Sequence, residues 1–188
     1  MSRINLALIY GSAREGRLCD TVAAWAAQQI RAFGTFRVEH IDPQALDVAS
    51  LDPKNVPGVP ALRSQIDAAD AFVVVTPEYN HGYPAALKFL VDCAYAEWHA
   101  KPVSFVSYGG ISGGLRAIEQ LRLVFAELRA VTIRDTVSFV NASDNVGDDG
   151  PLIASTEAVI AMRVMLTDLL WWATVLKDAR KPPEDAVG

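Results

Sequence analysis

A chain of 188 residues is long enough for one domain that buries a single large core without help from disulfides or metals. Its make-up, 51% hydrophobic and 21% charged, is that of an ordinary globular protein. The formal net charge of −5 argues against a general nucleic-acid binder, which needs a basic face for phosphates, while leaving room for a local basic site.

In chain order, the apolar, β-branched run INLALIY at 4–10 predicts a first strand, and three- and four-residue apolar spacing over 18–33 predicts a helix after it. FRVEHID at 36–42 alternates, as a strand at a sheet edge does. The stretch 43–60 contains four prolines and reads as a surface connection with little chemistry. AFVVVT at 71–76 and PVSFVSY at 102–108 are nearly continuous in apolar residues, the pattern of strands covered on both faces. Helices are expected over 84–98, with Pro84 in the first turn, and over 113–129. A fifth strand is expected at 132–140 and a last helix at roughly 154–179, before a tail at 181–188. Residues 1–180 read as one domain.

Strand alternating with helix implies a parallel sheet with helices on both faces. Five such units fit a flavodoxin-like three-layer sandwich, strand order 2-1-3-4-5, better than a barrel, which needs about eight strands and roughly 250 residues. No apolar run is long enough to span a bilayer, and the first residues meet Gly11 and Arg14 too early for a signal peptide, so a cytoplasmic protein is expected, with no membrane or nucleic-acid partner. Cys19 and Cys93 have neither CxxC spacing nor a disulfide pattern.

Such sheets bind ligands beyond the carboxyl ends of their strands, which here carry GSAREGR, TPEYNHGYP and YGGISGG. In the first loop, backbone N–H groups near a helix start, the Ser12 hydroxyl, and the guanidinium groups of Arg14 and Arg17 suit a phosphate; solvated arginines beside a capping serine would read the same way. Arg17 and Leu18 break the nucleoside-triphosphate loop pattern, so a monophosphate fits better. In the second loop, Tyr79 and Tyr83 suit a flat ring whose polar edge Asn80 would meet, although Pro, Asn and Gly also make plain turns. His81 has no partner spacing for a metal. Four glycines in the third loop allow close backbone approach to a ligand, or tight packing of the next helix. Trp171 and Trp172 suit the core or a subunit interface.

With its three loops, the chain resembles the NADPH-dependent FMN reductase family, which includes quinone, azo-dye and chromate reductases. The resemblance rests on GSAREGR, TPEYNHGYPAALKFLVD, SYGGISGGLRA and LLWWATVLKDAR. P-E-Y-N followed by P-x-x-L-K is its specific part. It implies noncovalent FMN, with Ser12, Arg14 and Arg17 on the phosphate together with the loop backbone through Leu18 and Cys19. Pro77, Glu78, Tyr79 and Asn80 would line the isoalloxazine, which Ser107, Tyr108, Gly109 and Gly110 would approach from the third loop. Many members have serine where Arg17 stands, asparagine where Cys19 stands, and asparagine where Phe89 stands. The implied activity is hydride transfer from NADPH or NADH to FMN and on to a small-molecule acceptor: a quinone, azo dye, metal oxyanion or flavin. No side-chain catalyst is required. The alternative is a flavodoxin-like FMN electron carrier or redox-sensing protein. The resemblance also implies a homodimer or homotetramer, with apolar surface around Phe89, Tyr95 and Trp98.

Overall fold

The computed structural model describes residues 3–46, 56–147 and 150–180. Five parallel strands, β1 (Ile4–Tyr10), β2 (Phe36–Ile41), β3 (Ala71–Pro77), β4 (Pro102–Gly109) and β5 (Val131–Val140), form one sheet in the order β2-β1-β3-β4-β5. β3 is buried at every position because it lies mid-sheet with helices on both faces. Its side chains alternate strictly: Ala71, Val73 and Val75 enter one apolar cluster, Phe72 and Val74 the other. The first cluster is closed by α1 (Cys19–Phe33) and α5 (Thr156–Ala179), the second by α2 (Val59–Ala68), α3 (Ala85–Asp92) and α4 (Leu115–Glu127). Each fully buried Leu, Ile, Val or Phe here contributes roughly 1.5–3 kcal/mol relative to exposure.

Local sequence explains the helix ends. Gly34 terminates α1 in a left-handed conformation and donates its N–H to the Ile30 carbonyl. Ser155 caps α5 by accepting the Ala158 N–H. By length and apolarity α5 could cross a membrane, but Met162, Met165, Leu166, Leu169 and Ala173 pack against the sheet instead.

Two segments depart from the sequence expectation. A helix, α2, begins at Val59 inside the stretch read as a connection, started by left-handed Gly58 with Pro60 in its first turn and held by Val59, Leu62 and Ile66. Residues 47–55 of that stretch, and the 181–188 tail, lie outside the described residues. The helix expected over 84–98 ends at Asp92, followed by a 3₁₀ turn at Ala96–Trp98. The Trp98 indole N–H takes the Val91 carbonyl at 3.1 Å, the acceptor that a continuing helix would offer to Tyr95. Its ring then lies between Phe72 and Phe125, fully buried. Trp98 therefore belongs to the core and not to an apolar surface, whereas Tyr95 is exposed.

Candidate functional site at the carboxyl edge of the sheet

The loop after β1 starts at a position only glycine can fill: Gly11 donates to the Val75 carbonyl at 2.7 Å, and an added Cβ would lie 2.6 Å from that oxygen. This contact presses the loop against β3. Ser12 is consequently buried, and its hydroxyl shares a 2.8 Å hydrogen bond with the Tyr79 hydroxyl from the loop after β3. The Arg14 guanidinium sits 3.6 Å above the centre of the Tyr79 ring. Arg14, Glu15 and Gly16 are exposed, Leu18 is half-buried, and Cys19 is buried with its sulfur toward the Val75 carbonyl. Burial pushes the Cys19 thiol up from its ordinary pKa, which suits a packed group and not a nucleophile. Among the described residues, the backbone N–H groups of Ala13, Glu15, Gly16, Leu18 and Cys19 find no acceptor. They cluster around the start of α1, which has no side-chain cap.

Arg17 differs from its sequence expectation. Its guanidinium is 3% exposed and paired with Asp42 just after β2, Nη1 lying 2.7 Å from Oδ1; Nε also donates to Asp20 at 2.9 Å, and Nη1 to the Ser12 carbonyl. Its donors face into the protein, so the cation braces the loop from behind. Asp42 stays ionised: burial pushes its carboxyl up, but the hydrogen bonds from Arg17 and the Gln44 N–H outweigh that and hold it below its ordinary value.

After β3, Pro77 is buried and the Glu78 N–H bonds the Tyr108 carbonyl at 3.1 Å. The Glu78 carboxylate accepts from the Ser112 hydroxyl at 2.7 Å, the Arg116 N–H at 3.2 Å and the Arg116 guanidinium at 3.0 Å, tying this loop to the one after β4. Burial would raise its pKa, but those bonds prevail and lower it. Tyr79 and Gly82 exchange backbone hydrogen bonds of 2.9 and 3.1 Å around Asn80 (φ 51°) and His81 (φ 70°), a tight two-residue turn that leaves both side chains exposed. The His81 carbonyl accepts from Gln120.

After β4, the glycines differ in their surroundings. An added Cβ on Gly114 would lie 2.7 Å from Ser107 Cβ and 2.9 Å from Tyr108 backbone atoms, so Gly114 serves packing. Gly110 has nothing within 4 Å of the equivalent point and faces open space. Gly109 is intermediate, 3.1 Å from the Gly114 nitrogen. Ser107 is buried and bonded to the Gly113 carbonyl and Ser138. Tyr108 is buried, its phenol pushed up in pKa first by burial and then by nearby Cys19.

Structure thus gathers Ser12, Arg14, Tyr79, Glu78, Asn80 and Gly110 along one edge, while Arg17, Cys19, Ser107 and Tyr108 support it from below. Sequence reading missed Asp42, Gln44, Ser112 and Arg116. An acidic residue directly after the edge strand, in D-P-Q, was the one available signal for the first two.

The sheet order and these loops define a flavodoxin-like protein. Residues 4–144 match the family described as NADPH-dependent FMN reductase, and the chain belongs to it. An NAD(P)H-dependent FMN reductase of Schizosaccharomyces pombe is 41% identical over 120 residues, covering 57% of this chain and 58% of that protein. The chain thus matches less than two thirds of that relative's length. An NAD(P)H:quinone oxidoreductase of Solanum tuberosum is 30% identical over 149 residues, 74% of this chain and 77% of the other. The solved apo form of an NADH:FMN oxidoreductase, EMOB, has the same fold, with a TM-score of 0.67, 23% identity, and coverage of 86% of this chain and 89% of that one.

Proposed function

We propose that this chain binds FMN along the carboxyl edge of β1, β3 and β4 and is an NAD(P)H-dependent oxidoreductase whose acceptor is a quinone. The observation that carries the reading is the set of unpartnered N–H groups at the start of α1 beside the Ser12 hydroxyl, in a chain of this family. Those groups and Arg14 suit a terminal phosphate. The half-buried Tyr79 ring and the open backbone at Gly110 suit a planar ring laid against the edge. Glu78, locked to Arg116 and Ser112, keeps the two ring-lining loops at a fixed separation. Pro77, Asn80, Tyr108 and Gly109 complete the wall.

Bound FMN supplies reversible hydride acceptance from a nicotinamide and delivery to a second substrate. The protein's part is to hold the phosphate, present the ring face, and keep the edge open enough for two substrates in turn. The likeness to the potato enzyme supports a quinone as the acceptor. We assign the protein to the cytoplasm; assembly into a homodimer or homotetramer is supported by the exposed apolar side chains Tyr95, Leu115 and Leu123 around α3 and α4.

Purified protein reconstituted with FMN should remain yellow after desalting and oxidise NADPH or NADH when a benzoquinone is added. Retained flavin without nicotinamide oxidation would favour the electron carrier; colourless protein would overturn flavin binding itself.

A further inference from the structure

Three consecutive carbonyls of the β1 loop are held by two side chains, Arg17 and Gln44. The Ser12 carbonyl accepts from Arg17 Nη1, and Gln44 Nε2 lies 3.5 Å from the Ala13 carbonyl and 3.3 Å from the Arg14 carbonyl. Arg17 and Gln44 are themselves fixed by one group, Asp42, whose Oδ1 accepts both from Arg17 Nη1 at 2.7 Å and from the Gln44 N–H at 2.9 Å. In a trans peptide the C=O of one residue and the N–H of the next point in opposite directions, and no peptide bond here is cis. Holding these three carbonyls therefore turns the N–H groups of Ala13, Arg14 and Glu15 the other way. The Arg14 N–H leans on the Ser12 hydroxyl at 3.4 Å, the same hydroxyl that meets Tyr79, which places that opposite side at the candidate phosphate position.

We infer that Asp42, Arg17 and Gln44 are positioning residues that preset the β1 loop's N–H groups to receive the flavin's terminal phosphate, without touching it. This rests on the flavin reading above. It makes the segment after the edge strand part of the site, and gives Arg17 a different task from the serine that many relatives have there. Orienting donors in advance removes the need to reorganise them on binding.

The test compares FMN with riboflavin, which lacks the phosphate, by quenching of flavin fluorescence. Gln44 is exposed, so Gln44→Met removes the carbonyl contacts with little risk to folding. Arg17→Lys keeps a charge on Asp42 but loses the fork. FMN binding should weaken about tenfold in each variant, and by less than the product of the two in the double variant because Arg17 and Gln44 share Asp42, with riboflavin affinity within about twofold of wild type. An unchanged ratio of the two affinities, or equal weakening of both, overturns the bracket while leaving the flavin reading intact. Folded wild-type protein that binds neither flavin removes that reading, and the bracket with it.

Discussion

At the amino end of the strands, Asp70 accepts from the Asn5 N–H at 3.0 Å, Lys177 at 2.7 Å and Arg180 at 3.1 Å, while the Lys101 ammonium is bonded to the Ile66 and Asp67 carbonyls. At the carboxyl end, Asp42 and Glu78 hold Arg17 and Arg116 with bonds just as short. Both ends bury charge, but the amino cluster closes on itself and fastens the last turn of α5 to the sheet. The carboxyl clusters orient backbone whose N–H groups stay open. One set of ion pairs fastens structure; in the function proposed above, the other prepares a surface for an anion. Composition alone cannot tell them apart, because the difference lies in which groups remain unpaired.

The largest expected effect breaks the structural end. Asp70→Ala removes the carboxylate that pairs directly with both Lys177 and Arg180 and should destabilise the fold by about 3 kcal/mol in urea denaturation. Flavin affinity of the folded protein should stay unchanged; a parallel loss would mean that the two ends are not separable. Next in size is a pair at the carboxyl end. Gly114→Ala meets Ser107 and Tyr108 at under 3 Å with a φ of +87° and should cost roughly 2–3 kcal/mol. Gly110→Ala enters open space and should leave the melting midpoint unmoved, yet weaken FMN binding where ring and backbone meet. Equal effects at both glycines would erase the distinction between packing and ligand approach.

Smaller in stability is Arg14→Ala. The guanidinium over Tyr79 is an exposed cation–π contact, worth roughly 0.5–1 kcal/mol. The same substitution should reduce FMN affinity by about tenfold, because a charged donor to phosphate is lost. Calorimetric titration beside thermal denaturation separates the two quantities; a stability loss without an affinity loss would place Arg14 with the amino-end pairs.

The sheet was legible because β3 and β4 carry unbroken apolar runs that only a strand covered on both faces uses, and alternating helices dictate parallel pairing. α2 was hidden by prolines: Pro60 reads as a breaker but sits in the first turn, where no N–H is needed. Trp98 was misplaced because helical spacing cannot show that an indole N–H will take a helix carbonyl and end the helix. At the site, the loops themselves were readable from turn residues and motif. Which arginine faces outward was not: Arg14 and Arg17 are alike in sequence, and the choice is made by Asp42, 25 residues beyond Arg17 and brought near by β2 pairing with β1.

The smallest effect is on pH dependence, and it should oppose the two ends. Burial pulls Lys101 down from 10.5 to about 8. Between these values the unfolded chain keeps a proton that the folded chain has released, so this lysine's contribution to stability should rise as pH climbs through that window. The neutral amine still has two N–H groups for the Ile66 and Asp67 carbonyls, so release of the proton need not break either bond. Asp42 and Glu78 behave in the opposite sense. Their folded pKa values lie below the ordinary 3.8 and 4.5, so their contribution is complete above those values and is lost as pH falls through the folded ones. Denaturation measured from pH 3 to pH 10 should therefore show an acid loss that Asp42→Asn reduces, leaving the alkaline limb alone. On that limb the buried Cys19, Cys93 and Tyr108, whose pKa values are raised, pull stability down as they come to ionise in the unfolded chain, so the lysine is read by difference: Lys101→Met should lose more stability than wild type between pH 8 and pH 10 and keep the acid loss. If either substitution altered both limbs, charge at the two edges would be coupled through the sheet, and the division between fastening and receiving ends would have to be given up.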